Sequence, residues 1–201
     1  MTNPKIKFFD NIAAKWDDWI DPEEVRKKLC SGLEEFGVAP HEKIVDIGCG
    51  TGNLTHCILS ILGPEGRVFS VDFSPGMLEE AKRKISDTRV CWINGDAVEL
   101  PVEDEIADRA IFYSVWPHFD QPEAVLYESL RYLKPGGFLH VWHTDSKETI
   151  NKIHADAGPC VNKDILPPAE NVAAMMKKTG LEITDLVDDE TRYLVTARKT
   201  R

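Results

Sequence analysis

Residues 43–62 read Lys-Ile-Val-Asp-Ile-Gly-Cys-Gly-Thr-Gly-Asn-Leu-Thr-His-Cys-Ile-Leu-Ser-Ile-Leu. Ile44, Val45 and Ile47 make a short apolar run that Gly48 breaks, and Leu54, Cys57, Ile58, Ile61 and Leu62 then recur at helical spacing. The stretch predicts a strand, a tight glycine turn and a helix.

Downstream the alternation repeats. Val68 to Asp72 is a strand, Ser74-Pro75 caps a helix, Val90 to Ile93 is a third strand and Ala110 to Val115 a fourth. A helix from Pro122 to Leu133 stops at Lys134-Pro135-Gly136-Gly137, and Phe138 to His143 is the fifth strand. Apolar strands without polar alternation, separated by helices, indicate a parallel sheet covered on both faces, so the fold class is doubly wound α/β. The rhythm changes after a helix from Pro168 to Thr179. Glu182 to Val187 and Arg192 to Ala197 are joined only by the acidic turn around Asp188, Asp189 and Glu190. A parallel crossover cannot be that short, so the last strand runs antiparallel to its neighbour.

Upstream, Asn3-Pro4 opens an amphipathic helix with Phe8, Ile12, Trp16 and Ile20 on one face, and Asp21-Pro22-Glu23-Glu24 opens a second that stops at Gly37. The expected organisation is one domain: a helical cap (1–37), a ligand-binding core (43–143), a lid (144–168) that includes Gly158-Pro159 and Pro167-Pro168, and a final helix and hairpin (169–201).

Composition limits the partners. The 201 residues are 42% hydrophobic and 29% charged, which suits a folded core and excludes global disorder. A formal net charge of -10 argues against nucleic acid and anionic membranes. No apolar run reaches the length of a membrane span, and Asp10, Asp17 and Asp18 stand where a signal peptide is apolar, so a cytoplasmic location is expected without membrane insertion. The five cysteines include no CxxC pair, which argues against a disulfide framework; Cys57 and Cys91 read as buried hydrophobes.

The glycine turn sits where doubly wound sheets bind nucleotide-like ligands, at the carboxyl end of the first strand. Its pattern is G-x-G-x-G. A dinucleotide fingerprint needs Gly or Ala at position 53, where Asn53 stands, and no Gly-Lys-Ser/Thr follows to make a P-loop. Asp72 ends the second strand, 24 residues after Gly48, and suits a carboxylate accepting both hydroxyls of a ribose. Asp96, just past the third strand, is placed to accept from an adenine amino group.

With VDIGCGTGNLT, VDFSPGMLEEAKRK, NGDAVELP and LRYLKPGGFLHVW in this order, the chain resembles the class I S-adenosylmethionine-dependent methyltransferases. Its FFDNIAAKWD stretch is similar to the opening of small-molecule members, the ubiquinone and menaquinone types among them. The resemblance implies a Rossmann-like seven-stranded sheet with an antiparallel last strand, S-adenosylmethionine as cofactor and S-adenosylhomocysteine as product. It implies that Asp46, Gly48, Gly50 and Gly52 shape the pocket for the methionine half and that Asp72 holds the ribose. Phe73 and Met77 would pack on adenine, Asp96 and Ala97 read its edge, and Ser114 lie beside the sulfonium.

The acceptor is expected to be a small molecule: the segment after strand four reads Ser-Val-Trp-Pro, unlike the Asn/Asp-Pro-Pro-aromatic signature of enzymes that methylate base amino groups. Two alternatives stand beside the enzyme, a non-catalytic S-adenosylmethionine-binding module and an NAD-dependent reductase. The reductase lacks its Tyr-x-x-x-Lys pair. His118 after strand four and His143 at the end of strand five are the catalytic candidates, because the methyl group points toward the carboxyl ends of those strands. His143, His154 and Cys160, with Asp145 and Asp164 nearby, are residue types that bind metals; the plainer reading assigns them no metal.

Overall fold

The structure is a computed structural model that describes residues 3–19 and 21–200. The chain packs as two compact units, Met1–Asp96 and Ala97–Arg201.

In the first unit α1 (Pro4–Ile12) starts at Asn3, whose side chain accepts from the Lys5 amide at 2.9 Å. The expected helix does not continue unchanged: Ala13–Trp19 tightens into a 3-10 helix. Ile20 lies outside the described residues. α2 (Pro22–Glu35) is capped by Asp21, which accepts from the Glu23 and Glu24 amides. β1 (Lys43–Ile47), α3 (Asn53–Ile61), β2 (Arg67–Asp72), α4 (Pro75–Lys84) and β3 (Val90–Asn94) follow, with β1 and β3 both parallel to β2. Ile44, Val45, Ile47, Leu54, Ile58, Val68 and Val71 are buried, and this apolar core carries the glycine turn at one end.

The second unit contains β4 (Ala107–Tyr113), a 3-10 turn (Trp116–His118), α5 (Pro122–Tyr132), β5 (Leu133–His143), α6 (Lys147–Asp156), α7 (Ala169–Lys178), β6 (Leu181–Asp188) and β7 (Tyr193–Lys199). β4 ends two residues earlier than its apolar run suggests, because Ser114 takes a left-handed φ of 52°. β5 begins ahead of the glycines: Leu133 pairs with Ala107, the register shifts, and Phe138 pairs with Arg109. The Pro135-Gly136-Gly137 stop is thus an irregularity inside the strand, made with Gly136 at φ 83°. Within the expected lid, Ser146 caps α6 by accepting from the Thr149 amide. Cys91 is exposed, contrary to expectation, since it lies on β3, an edge strand; Cys57 is buried.

The sheet has seven strands in the order β3-β2-β1-β4-β5-β7-β6. β7 lies between β5 and β6 and runs antiparallel to both. Beneath it, His140 is buried with Nε2 2.7 Å from the Arg109 guanidinium and Nδ1 3.0 Å from the Thr196 hydroxyl. A guanidinium only donates, so Nε2 accepts and Nδ1 carries the proton. Burial and the Arg109 charge hold this ring neutral, as a strut of the core. Among the described residues no helix is long and apolar enough to cross a membrane.

Candidate active site

In the first unit Gly48, Gly50 and Gly52 all have positive φ, at 69°, 53° and 86°. At Gly52 a side chain is excluded twice over: its Cβ would stand 2.9 Å from Ile85 Cδ1 and 3.2 Å from Ala81 Cβ. At Gly50 a Cβ would meet nothing within 4 Å, so the turn faces open space there. The Gly50 amide donates to Asp72 Oδ2 at 2.8 Å, and the Ser74 amide donates to Oδ1 at 2.8 Å. Asp72 thereby ties the end of β2 to the turn after β1. Burial pushes its carboxyl up to about 6, against the two amide bonds that favour the charged form.

Asp46 lies deeper, at 1% exposure. It accepts from the Thr55 hydroxyl at 2.6 Å, and Thr55 in turn stands 2.8 Å from the Ser70 hydroxyl. Burial, reinforced by the Asp72 charge and opposed by Thr55, raises the Asp46 carboxyl to about 7. Met77 is buried on the first turn of α4, and Phe73 is half-buried with its ring 5.7 Å from Phe9. Asp96 is exposed.

Two acids of the opening segment do work that local sequence reading missed. Asp10 Oδ1 accepts from the Ser74 hydroxyl at 2.6 Å and the Gly76 amide at 2.9 Å, a second cap on α4 supplied from α1. Asp17 accepts from the Thr51 hydroxyl at 2.7 Å and the Asn53 amide group at 3.0 Å, and pairs with Lys84 at 2.6 Å. Burial raises the Asp17 carboxyl, but the bonds from Lys84, Thr51 and Asn53 outweigh it and hold the group below its ordinary range. The only signal for either acid is its place among the aromatics of FFDNIAAKWD.

The second unit holds the histidines. His118, at the end of its 3-10 turn, has Nδ1 2.8 Å from Asp164 Oδ2. His154, on the last turn of α6, has Nδ1 2.5 Å from the Asp164 carbonyl, and its ring centroid is 4.8 Å from that of His118. Asp164 therefore orients both rings, a role that its residue type alone did not reveal. His143 is 1% exposed, with neither ring nitrogen hydrogen-bonded. Tyr193, its register partner on β7, has a buried hydroxyl without a partner, and the two rings meet edge to face at 5.7 Å. Each such atom costs about 1–3 kcal/mol unless something satisfies it. Burial, with the nearby His118 and His154, lowers the His143 ring to about 3. Ser114 is exposed in its strained conformation, its amide bonded to the Trp142 carbonyl at 2.9 Å; Ala97 is buried. His143, His154 and Cys160 are not assembled into a metal centre: among the described residues no three His, Cys, Asp or Glu side chains are arranged to hold an ion. His154 Nδ1 is instead committed to the Asp164 carbonyl.

Residues 44–137 match the methyltransferase domain family. Over 137 residues the chain is 34% identical to demethylmenaquinone methyltransferase of Staphylococcus aureus (strain JH9), a match that covers 66% of this chain and 57% of that protein. The chain carries a methyltransferase domain. As a methyltransferase fold it superposes on a SAM-dependent methyltransferase from Aquifex aeolicus with a TM-score of 0.71 at 20% identity, over 90% of this chain and 99% of that one. A chain of the complex between the Haloferax volcanii Trm112 methyltransferase activator and a methyltransferase gives a TM-score of 0.80 at 18% identity, over 96% and 98%. The methyltransferase chain described here spans less than two thirds of the length of its Staphylococcus relative.

The cofactor of this family suits the first unit. The open space against Gly50 admits a ligand to the backbone, and Asp72 presents a buried carboxylate beside it. Neither the dinucleotide nor the P-loop pattern is present in the turn.

Proposed function

We propose that the protein transfers a methyl group from S-adenosylmethionine to a small-molecule acceptor. The observation that carries this reading is the Gly50 to Asp72 bond, which sets the open space at Gly50 beside a buried carboxylate at the carboxyl ends of two parallel strands. Asp46, Gly48, Gly50 and Gly52 would shape the methionine side and Asp72 the ribose side. Phe73, Met77, Asp96 and Ala97 would serve the adenine, and Ser114 the reacting end. When bound, the cofactor supplies an electrophilic sulfonium methyl, so the protein's contribution is chiefly alignment, worth up to roughly 7–11 kcal/mol.

On the acceptor side we assign His118 and His143. The Asp164 carboxylate can only accept, so His118 Nδ1 donates to it, which places the second proton site of the ring at Nε2. His143 stays uncharged and positions the acceptor. Residues 144–168, which bring Asp164 and His154 to His118, form the lid. The Staphylococcus relative is a demethylmenaquinone methyltransferase, which supports a ring acceptor. The net charge of -10 supports a small acceptor over nucleic acid.

Calorimetric titration with S-adenosylhomocysteine and NADH, followed by labelled-methyl transfer into a metabolite extract, tests the reading. Binding of S-adenosylhomocysteine and a labelled small product support it. Cofactor binding without product would leave a binding module, and binding of NADH alone would overturn it.

A further inference from the structure

Among the described residues, the buried side-chain polar atoms without a hydrogen bond are His143 Nδ1, His143 Nε2 and Tyr193 Oη. All three belong to one register pair, at the carboxyl end of β5 and the start of β7. Core packing does not explain them: the neighbouring buried histidine, His140, has both nitrogens engaged. The sheet satisfies its own polar groups and leaves three unsatisfied at one place.

The histidines and Asp188 beside this pair already have partners. His118 is bonded to the Asp164 carboxylate and His154 to the Asp164 carbonyl. Asp188, which acts on Tyr193, is paired with Lys147 at 3.0 Å and accepts from the Ala169 amide at 3.0 Å. Burial above all, then the charges of Asp188 and Glu170, pushes the Tyr193 phenol up and keeps it protonated. A ligand at this place therefore meets a neutral imidazole, with one donor and one acceptor, and a phenol hydroxyl. A carboxylate or phosphate would face the Asp188 and Glu170 charges with Lys147 already paired to Asp188, and an ammonium would meet a neutral imidazole and a phenol, with Asp188 paired and Glu170 out at the exposed surface; either ion would be buried without a counter-charge.

We propose that His143 and Tyr193 form a neutral polar subsite that holds the methyl acceptor by an uncharged hydroxyl or carbonyl oxygen. The subsite rests on the methyl-transfer reading above and adds to it Tyr193 and the charge class of the acceptor. In transfer to a hydroxyl, the oxygen–methyl bond forms as the sulfur–methyl bond breaks, the sulfonium becomes a neutral thioether, and the hydroxyl proton passes to His118. Both rings are closed to solvent, so the side chains packed around the pair move aside to admit the acceptor.

The test uses three naphthalenes that differ in charge at about pH 7: 2-naphthol (neutral), 2-naphthoate (anion) and 2-(aminomethyl)naphthalene (cation). Each is titrated into protein saturated with S-adenosylhomocysteine while the His143 imidazole resonances are followed. The subsite predicts that 2-naphthol binds at least about tenfold more tightly than either ion and shifts the His143 signals, and that Tyr193→Phe weakens it several-fold. Equal binding of the three, no binding, an unmoved His143, or an unchanged affinity in Tyr193→Phe overturns it. In a purely packing role, Tyr193→Phe would raise thermal stability and leave naphthol affinity alone. Failure to bind S-adenosylhomocysteine in the same samples would instead remove the methyl-transfer reading beneath it.

Discussion

Asp10 and Ser74 meet at 2.6 Å, a carboxylate from the opening helix on the hydroxyl that caps α4. Ser74 is also the residue whose amide holds Asp72, so the cap, the Asp72 carboxylate and the opening helix form one connected group.

Asp10→Ala is therefore expected to lower unfolding stability by about 1 kcal/mol, the usual value of a lost N-cap partner. It should weaken S-adenosylhomocysteine several-fold without contacting it. Urea unfolding and calorimetry check the two effects; an unchanged affinity would detach the opening helix from the site.

Asp72→Asn replaces one of two amide-accepting oxygens with an amide donor. One backbone N–H, at Gly50 or Ser74, then faces another donor, a loss of about 1–3 kcal/mol that lands on the glycine turn. Cofactor affinity should drop at least about tenfold, while Asp72→Glu keeps the charge but misplaces it and recovers little.

The pH dependence follows from the signs. Asp46 is raised to about 7 when folded, above its ordinary value of 3.8, so the native state binds its proton more tightly than the unfolded chain does. Its contribution to stability is therefore fully present below the unfolded value and lost as pH rises from about 4 toward 7. Asp17 has the opposite sign: its depressed carboxyl contributes stability above the unfolded value, lost on acidification. In Asp46→Asn the decline between those two pH values should flatten, as read from denaturation midpoints. An unaltered slope would assign the decline to other groups.

Asp164→Asn leaves His118 with a partner able to donate as well as accept, so Nδ1 is no longer held as the donor. Turnover should fall roughly 10²-fold or more with S-adenosylhomocysteine affinity unchanged. Imidazole nitrogen shifts should show His118 divided between tautomers in the variant. Asp164→Glu should restore part of the turnover if orientation is its role.

Ser114 holds a left-handed φ of 52° at the end of β4. Ser114→Gly should relieve up to about 1 kcal/mol of backbone strain, partly offset by the greater freedom of glycine when unfolded. A gain in stability together with a fall in turnover would mark strain kept for the site.

The central strands and the glycine turn were legible because their information is local. Lys43 to Ile47 is a continuous apolar run, and a left-handed turn demands glycine in sequence as it does in space. Asp46, Gly50 and Asp72 were readable from position on that frame. Asp10, Asp17 and Thr55 were not, since each acts on a partner supplied by another element, and an aspartate in an amphipathic helix looks like any solvated charge. Asp164 escaped for the same reason: nothing in Asn-Lys-Asp-Ile-Leu says that its carboxylate reaches a histidine in the turn after β4. The start of β5 misled for a different cause, because Pro135-Gly136-Gly137 signals a break that the sheet accommodates by shifting register.

The insertion of β7 between β5 and β6 has a consequence for how the molecule is made. As the chain leaves the ribosome, His143 emerges on β5 well before its neighbour Tyr193, and that edge of β5 stays unpaired until Tyr193–Lys199 arrives. The place proposed for the acceptor is thus completed only once β7 has been made, after both β5 and β6. A nascent protein can shape its glycine turn long before it has a place for anything to methylate.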